Sequence, residues 1–246
     1  MNKQQRIFGI HPVWEAIQAG KEIDKLYIQK GIENSTIDEI LNSLSGKATQ
    51  IQEVPVEKLN RLIRGNHQGI VAEISPIKIR EFEVVIEEIL SKKENPIFLI
   101  LDQLSDVRNF GAIIRTAECT NVDAIIVQKK GGAPISGDTV KTSAGAIFNV
   151  PICKVDHIKD AIFYFKASGV HTIAATEHTQ KTIYDTNTSR PIAIVMGSEG
   201  KGVSKSVLKE VDDRASLPLL GEINSLNVSV ACGAILYEIV RQRNFS

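Results

Sequence analysis

The sequence has 246 residues, which is enough for one large domain or two smaller ones. Its 29 lysine and arginine residues are balanced by 29 aspartate and glutamate residues. This zero net charge counts against a strongly basic nucleic-acid-binding domain and leaves any such affinity to local patches or to shape. No run of about 18 apolar residues occurs, which argues against a transmembrane helix.

The beginning of the chain and its cysteines indicate the compartment. Residues 1–8 are mostly polar and lack the apolar core of a signal peptide, so we expect a cytoplasmic protein. Cys119, Cys153 and Cys232 are far apart in sequence and are expected to be buried free thiols. The five histidines show no metal-ligand spacing, so no metal site is predicted.

Residues 1–78 alternate between helical and strand patterns, which predicts a compact α/β domain. A helix is expected from Pro12, because proline suits a first helical turn. The remaining elements follow from hydrophobic periodicity. Helices are predicted at 37–44 and 56–63, and strands at 25–29, 50–55 and 68–74.

Residues 79–94 are rich in charge and contain a single amphipathic run, so they are predicted to be a linker. A second α/β domain, 95–246, begins with a continuous apolar strand at 97–102, the type buried on both faces. The alternation of strands and helices predicts a mainly parallel sheet covered on both sides. Its further strands are expected at 124–127, 150–154, 170–175, 192–196 and 215–219, with helices at 111–119 and 228–243 among others.

A glycine-rich loop follows the strand that ends at Met196. The segment Gly197-Ser-Glu-Gly-Lys-Gly202 fits neither the phosphate-binding loop GxxxxGK[ST] nor GxGxxG. It is either a tight turn or a loop that approaches a ligand closely through its backbone. Glu199 between the glycines bonds a backbone group or an arginine, or it faces solvent.

Two further segments carry polar groups at helix starts. Asn109 is placed as a helix N-cap, and Arg115 follows either as a salt-bridge partner or as an anion site. Ser225, Asn227 and Ser229 exceed the needs of a single cap. Two strand ends that deliver glycine and uncharged polar groups to one place predict a pocket for a small polar ligand. No histidine lies near these serines in sequence, so a Ser/His hydrolase is not supported.

The segments 109–118, 194–202 and 217–233, in this order, resemble the three signature motifs of the SpoU/TrmH family of RNA ribose 2′-O-methyltransferases, in the SPOUT class. Residues 8–16 and 66–72 look like the substrate-binding domain of RlmB-type enzymes. That domain resembles a small ribosomal-protein RNA-binding fold, and RlmB-type enzymes methylate a guanosine of 23S rRNA. Phe110 departs mildly from the family pattern, which more often has a smaller aliphatic residue there.

The resemblance implies an α/β fold with a trefoil-knotted C-terminal methyltransferase domain and a small N-terminal RNA-substrate-binding domain. It also implies a homodimer and S-adenosylmethionine as cofactor, and an activity of the RNA (guanosine-2′-O-)-methyltransferase type. The cofactor contacts carried over are Thr176, Gly197, Leu217 and Leu226. The catalytic residues carried over are Asn109, Arg115, Glu199, Ser225 and Asn227.

Chemistry suggests a role for each group. Arginine stays charged in proteins, so Arg115 is expected to hold a phosphate and stabilise a developing oxyanion, not to act as a base. Glu199 is expected to anchor this arginine or the loop, while Ser225 and Asn227 orient the substrate. Basic or polar residues expected to contact RNA, with surface solubility as the alternative, are Arg61, Arg64, His67, Arg108 and Lys141.

Three alternatives stay open at this point. The substrate could be tRNA or another rRNA site, although the N-terminal domain argues against the minimal tRNA type of enzyme. The protein could be an RNA-binding ribosome-assembly factor with vestigial catalysis, against which the intact motifs argue. A non-RNA nucleotide-binding α/β enzyme is disfavoured by the order of the three motifs.

Overall fold

The computed structural model describes residues 6–18, 20–75, 77–135, 137–223 and 225–245. Residues 1–5, which belong to the polar segment at the start of the sequence, lie outside the described residues. The structure divides into two compact units, one up to Lys78 and one from Ile79 onward, with residues 134–138 grouped with the first. The domain boundaries at 78 and 95 stay a prediction.

The first unit is a four-stranded sheet with helices on both faces. Its order is β1-β4-β2-β3, parallel only between β2 and β3. Alternate residues of β2 and β4 point to opposite faces, so Leu26 and Ala72 pack with α1 and α2, while Tyr27 and Val71 pack with α3. The elements are β1 (Arg6–Phe8), α1 (Ile10–Gln18), β2 (Ile23–Gln29), α2 (Ser35–Leu44), β3 (Gln50–Val54), α3 (Val56–Leu62) and β4 (Ile70–Ile74).

The second unit is built on a six-stranded sheet in the order β10-β8-β9-β5-β6-β7, with every described pairing parallel. All residues of β5 and β9 are buried, as expected for central strands covered on both faces. The elements are α4 (Phe82–Lys92), β5 (Ile97–Leu101), α5 (Val107–Cys119), β6 (Ala124–Gln128), α6 (Gly137–Thr142), β7 (Ile152–Val155), α7 (Ile158–Ala167), β8 (His171–Ala175), β9 (Ile192–Met196), α8 (Lys205–Leu208), β10 (Asp213–Ala215) and α9 (Val228–Asn244). The predicted α/β architecture with a parallel sheet is confirmed, whereas the trefoil knot stays a prediction.

Several details differ from the sequence-based expectations. The segment 79–94, expected to be a linker, contains α4, whose Phe82 ring packs edge-on against Phe165 in the core of the second unit. The strand expected at 215–219 is β10, which lies earlier, at Asp213–Ala215, because Ser216 N already donates to Lys181 O at 2.9 Å and no longer pairs with β8. Cys119 is exposed, whereas Cys153 and Cys232 are buried as expected.

Among the described residues, no helix has both the length and the apolar character needed to cross a membrane.

A close contact between α5 and α6 depends on Gly111. A methyl group at Gly111 would lie 1.9 Å from Thr142 Oγ1 and 2.9 Å from the Thr142 backbone carbonyl carbon. Because the second of these atoms belongs to the backbone, a rotamer change at Thr142 cannot make room. The backbones of α5 and α6 therefore approach each other closely at this point.

This contact predicts that Gly111→Ala destabilises the protein by about 1–3 kcal/mol, although alanine favours helix more than glycine does. Gly233→Ala in α9 is the matched control, since its methyl group would be 3.7 Å from Thr116 Cγ2, an ordinary contact. Thermal unfolding of both variants checks this. A melting temperature for Gly111→Ala equal to or above that of Gly233→Ala would contradict it.

Candidate active site

A cavity of 490 Å³ opens where three strands of the second unit end. Ala175, Met196 and Ala215, the last residues of β8, β9 and β10, all line it. The carboxyl ends of parallel strands meet at one edge of a sheet, and such edges commonly bind ligands. The size lies within the range of about 300–1,000 Å³ that is usual for small-molecule sites.

The glycine-rich loop forms one wall of this cavity. Ser198 N donates to Gly202 O at 3.1 Å and Gly202 N donates to Ser198 O at 2.9 Å, which closes the loop on itself. A methyl group at Gly197 would lie 1.9 Å from the Gly202 carbonyl carbon, so only glycine fits there. The loop is therefore a tight turn, one of the two interpretations left open by the sequence. It also lines the cavity, and its close approach to a ligand stays a prediction.

A buried carboxylate anchors the far end of this loop. Asp102, which follows β5 and is 1% exposed, accepts a hydrogen bond from Ser204 N at 2.8 Å. Its own backbone N–H donates to Met196 O at 2.8 Å. Asp102 thus ties both ends of the loop to the end of β5.

Glu199 joins the three polar segments into one hydrogen-bonded cluster, which we call the amide–carboxylate triangle (Asn109, Glu199, Asn227). Glu199 Oε2 accepts from Asn109 Nδ2 at 3.0 Å, and Oε1 accepts from Asn227 Nδ2 at 2.9 Å. Asn227 Nδ2 also donates to Asn109 Oδ1 at 3.0 Å. Glu199 and Asn227 line the cavity, so the triangle lies at its edge.

The local helix ends orient both asparagines. Asp106, not Asn109 as expected, is the N-cap of α5, and it accepts a hydrogen bond from Asn109 N at 2.8 Å. Asn227 is the N-cap of α9, and its Oδ1 accepts from Ser229 N at 2.9 Å. With its oxygen used in capping, the Asn227 amide can only present its NH2 group to the triangle.

The four expected cofactor contacts, Thr176, Gly197, Leu217 and Leu226, all line the cavity. Thr176 is buried and receives a hydrogen bond from His178 N at 3.3 Å. Ser225 is exposed at the cavity and makes no hydrogen bond within the described part of the chain. The walls combine apolar side chains with backbone groups of the glycine loop, which suits a ligand that has both a flat ring and polar ends.

Arg115 is placed differently from the other expected catalytic residues. Its side chain is exposed on α5, does not line the cavity, and makes no hydrogen bond or ion pair within the described residues. Of the two roles expected for Glu199, to anchor Arg115 or to anchor the loop, the structure shows the second, because both oxygens of Glu199 accept amide hydrogens and neither bonds Arg115. Glu199 anchors the loop to α5 and α9.

The residues expected to contact RNA differ in their exposure. Arg61, Arg64, Arg108 and Lys141 are exposed, and none of them lines the cavity. His67, expected to be exposed, is 7% exposed. Its Nδ1 accepts from Gly69 N at 3.0 Å and its Nε2 bonds Asn60 Oδ1 at 3.0 Å, so both ring nitrogens are used inside the first unit.

Four site residues escaped the sequence analysis. Lys201 and His178 line the cavity, while Asp102 and Asp106 position its walls. Aspartate three residues before Asn109 is an N-cap signal that could have identified Asp106. His178 carries no such signal, because only the fold brings it to the cavity.

Two family models match most of the chain. Residues 96–237 match the SpoU rRNA Methylase family, and residues 6–79 match the model for RNA 2′-O ribose methyltransferase substrate binding. This chain belongs to the SpoU family. The resemblance to SpoU/TrmH proteins is confirmed, and the chain is of the RNA ribose 2′-O-methyltransferase class. Among the described residues, no group of histidine, cysteine, aspartate and glutamate is suited to hold a metal ion.

The curated relatives match nearly the whole chain. The putative TrmH family tRNA/rRNA methyltransferase of Staphylococcus haemolyticus is 37% identical over 239 residues, which cover 97% of this chain and 96% of the relative. A protein with the same description from Staphylococcus saprophyticus is 35% identical over 240 residues, covering 97% and 96%. Both descriptions leave the choice between tRNA and rRNA open.

Solved structures share the fold. The AdoMet-bound rRNA methyltransferase from Sinorhizobium meliloti aligns with a TM-score of 0.63 at 24% identity, over 98% of this chain and 88% of its own. The SpoU methyltransferase AviRb from Streptomyces viridochromogenes, in complex with AdoMet, aligns at 0.61 and 23% identity, over 96% and 89%. The TrmH/SpoU tRNA modifying enzyme of A. aeolicus aligns at 0.56 and 28% identity, over 65% and 84%.

The triangle predicts a specific rescue. Glu199→Gln points an NH2 group at an asparagine NH2 group, and Asn109→Asp places two carboxylates together, so each single variant should lose about 1 kcal/mol of stability. Combining the two substitutions restores one donor for each acceptor, because the introduced glutamine amide can donate to the introduced aspartate carboxylate while Asn227 donates to both side chains. The double variant should therefore recover most of the loss.

Thermal unfolding of the four proteins in this double-mutant cycle checks the prediction. Losses that simply add in the double variant would show that the hydrogen bonds of the triangle do not form in solution.

Proposed function

We propose that this protein transfers a methyl group from S-adenosylmethionine to the 2′-hydroxyl of a guanosine in 23S rRNA. The observation that carries this proposal is that one cavity is lined by the four expected cofactor contacts together with Glu199, Ser225 and Asn227. A substrate of this kind is met in the cytoplasm, where we expect the protein to act.

The residues of the cavity fit the cofactor. Leu217 and Leu226 supply apolar walls for the adenine ring of the cofactor. At Gly197 the backbone has no side chain in the way, so its peptide groups can form hydrogen bonds with the polar groups of the cofactor. When bound, S-adenosylmethionine supplies an electrophilic methyl group on a sulfonium. Thr176 closes the wall beside the end of β8.

The chain's own residues then position the RNA. The triangle keeps the glycine loop, α5 and α9 in fixed register, which holds the reacting groups in place and supplies rate through orientation. The Ser225 hydroxyl, which has no partner within the described residues, is available to a ribose oxygen. Glu199 is already bonded through both oxygens and acts as a positioning residue. Arg115 holds the phosphate beside the target ribose and stabilises the developing oxyanion.

The two-unit architecture favours rRNA over tRNA. The rRNA methyltransferase of Sinorhizobium meliloti aligns over 98% of this chain, whereas the tRNA modifying enzyme of A. aeolicus aligns over only 65%. The first unit, matched by the substrate-binding model, is thus a natural source of rRNA selectivity. The alternatives are a tRNA 2′-O-methyltransferase and an RNA-binding ribosome-assembly factor with vestigial catalysis.

A homodimer accounts for the placement of Arg115. Val230 and Tyr237 are 56% and 57% exposed and lie on one face of α9, the helix that packs beside α5. Leu220 and Ile223, in the loop before α9, are 99% and 78% exposed. Apolar surface of this extent marks an interaction site. We propose that a second copy covers this surface, and that Arg115 of each copy reaches the cavity of the other.

The activity is tested with labelled S-adenosylmethionine and RNA from cells that lack this gene. We expect label in large rRNA, recovered as 2′-O-methylguanosine. Label in tRNA alone would support methyl transfer to RNA but contradict rRNA as the substrate. RNA binding without any transfer would favour the assembly-factor alternative.

The dimer is tested by mixing two inactive variants, Arg115→Ala and Glu199→Gln, in one purified heterodimer. If Arg115 serves the partner's cavity, one cavity of the heterodimer is intact, and activity should return to about half of the wild-type value. If Arg115 serves its own cavity, both cavities carry a defect and no activity returns. Circular dichroism on each variant confirms folding, and a monomer in sedimentation analysis would overturn the proposal.

A further inference from the structure

One end of the first unit brings β1 against the connection between α3 and β4. Arg6 Nη1 donates to Leu62 O at 3.3 Å, and Ile10 N donates to Gln68 Oε1 at 3.0 Å. Between these two bonds, Gly65 lies against the Phe8 ring: a methyl group at Gly65 would be 3.0 Å from Phe8 Cε2. Residues 6–10 and 62–68 therefore run side by side.

This arrangement is held rigidly. Gly9, Gln68 and Gly69 have φ values of 89°, 50° and 79°, in the left-handed region that fixes a tight chain reversal. The buried His67 ring bonds Gly69 N and Asn60, which locks the loop from inside. A surface built on such a loop is already ordered before any ligand binds.

The outer face of this end carries an aromatic ring among polar groups. Phe8 is 36% exposed, and its neighbour across the contact, Gly65, follows directly after Arg64. Arg61, Arg64 and His11 are exposed and make no ion pair or hydrogen bond within the described residues. An exposed aromatic ring near arginine side chains is a combination that binds single-stranded nucleic acid.

We propose that Phe8 is a stacking site for an unpaired base of the RNA substrate, and that Arg64 binds the adjoining phosphate. The proposal rests on the proposed function, since it takes the ligand to be RNA. A base within a duplex is stacked on both faces and cannot use the ring, so the site selects a loop, a bulge or an end. It assigns to Phe8 and Arg64 the RNA contact that the buried His67 cannot make.

The test compares binding of a single-stranded oligonucleotide with binding of the corresponding duplex. Phe8→Ala should weaken single-strand binding about tenfold, while Phe8→Tyr, which keeps the ring, should retain it. Arg64→Ala should lower the slope of log affinity against log salt by about 0.7. Ile51→Ala is the matched control, since Ile51 is 42% exposed on β3, at the opposite edge of the sheet. Ile51→Ala should leave both the affinity for the oligonucleotide and its salt dependence unchanged.

A fluorescence measurement covers the case in which Phe8→Ala fails to fold. The chain has one tryptophan, so the double variant Phe8→Trp, Trp14→Phe places the only reporter at the proposed site. Stacking of a base should quench its emission with single-stranded RNA but not with duplex RNA. Unchanged emission at saturating oligonucleotide would overturn the stacking site, as would full affinity in a folded Phe8→Ala variant.

Methyl transfer by the wild-type protein separates the two hypotheses. If the wild type methylates RNA but the folded Phe8→Ala variant binds RNA normally, the stacking site fails and the proposed function stands. If the wild type neither binds nor methylates RNA, the proposed function fails, and this inference fails with it.

Discussion

The carboxylate of Glu199 is the group on which the geometry of the site depends. It accepts amide hydrogens from Asn109 and Asn227, which lie 90 and 28 residues away along the chain. Charge-assisted hydrogen bonds of this kind are stronger than neutral ones and demand defined directions. A single side chain therefore sets the glycine loop, the start of α5 and the start of α9 in one register. Without it, the glycine loop would keep its bond to Asp102 but would lose its hydrogen bonds to the starts of α5 and α9.

Backbone constraints and two aspartates also hold the glycine loop and α5 in place. Gly197 allows the loop to close against Gly202 where any side chain would collide, and Asp102 fixes the loop to the end of β5. Asp106 caps α5 and aims Asn109 at the same time. The positions of the polar groups are thus set before a ligand arrives, which is how a site lowers the reorganisation that catalysis requires.

Sequence patterns were sufficient where local rules and the final fold agree. The buried strands β5 and β9 follow from continuous apolar runs, and the motif resemblance singled out Glu199 and Asn227, which the fold brings together at the cavity. The same rules failed where long-range packing decides. His67 lies in a polar, glycine-containing segment that suggests exposure, yet Asn60 and Gly69 enclose its ring. The apolar run after Ala215 suggested a longer strand, but it forms a wall of the cavity. Hydrophobic periodicity predicts the buried face of a helix or strand, but it does not predict which side chains of a loop face the interior.

The zero net charge of the chain has a physical consequence for how it selects RNA. A protein with little excess positive charge gains little from the general attraction of a polyanion, so its affinity must come from a few placed contacts. Arg61 and Arg64 in the first unit and Arg115 in the second are exposed and have no partner among the described residues, so they are the candidates that we propose for such contacts. Electrostatic attraction to the RNA backbone is similar for all RNAs and does not discriminate between them. Where this attraction is weak, discrimination depends on the shape of the RNA and on its unpaired bases. Low net charge therefore favours selective binding over general binding of RNA.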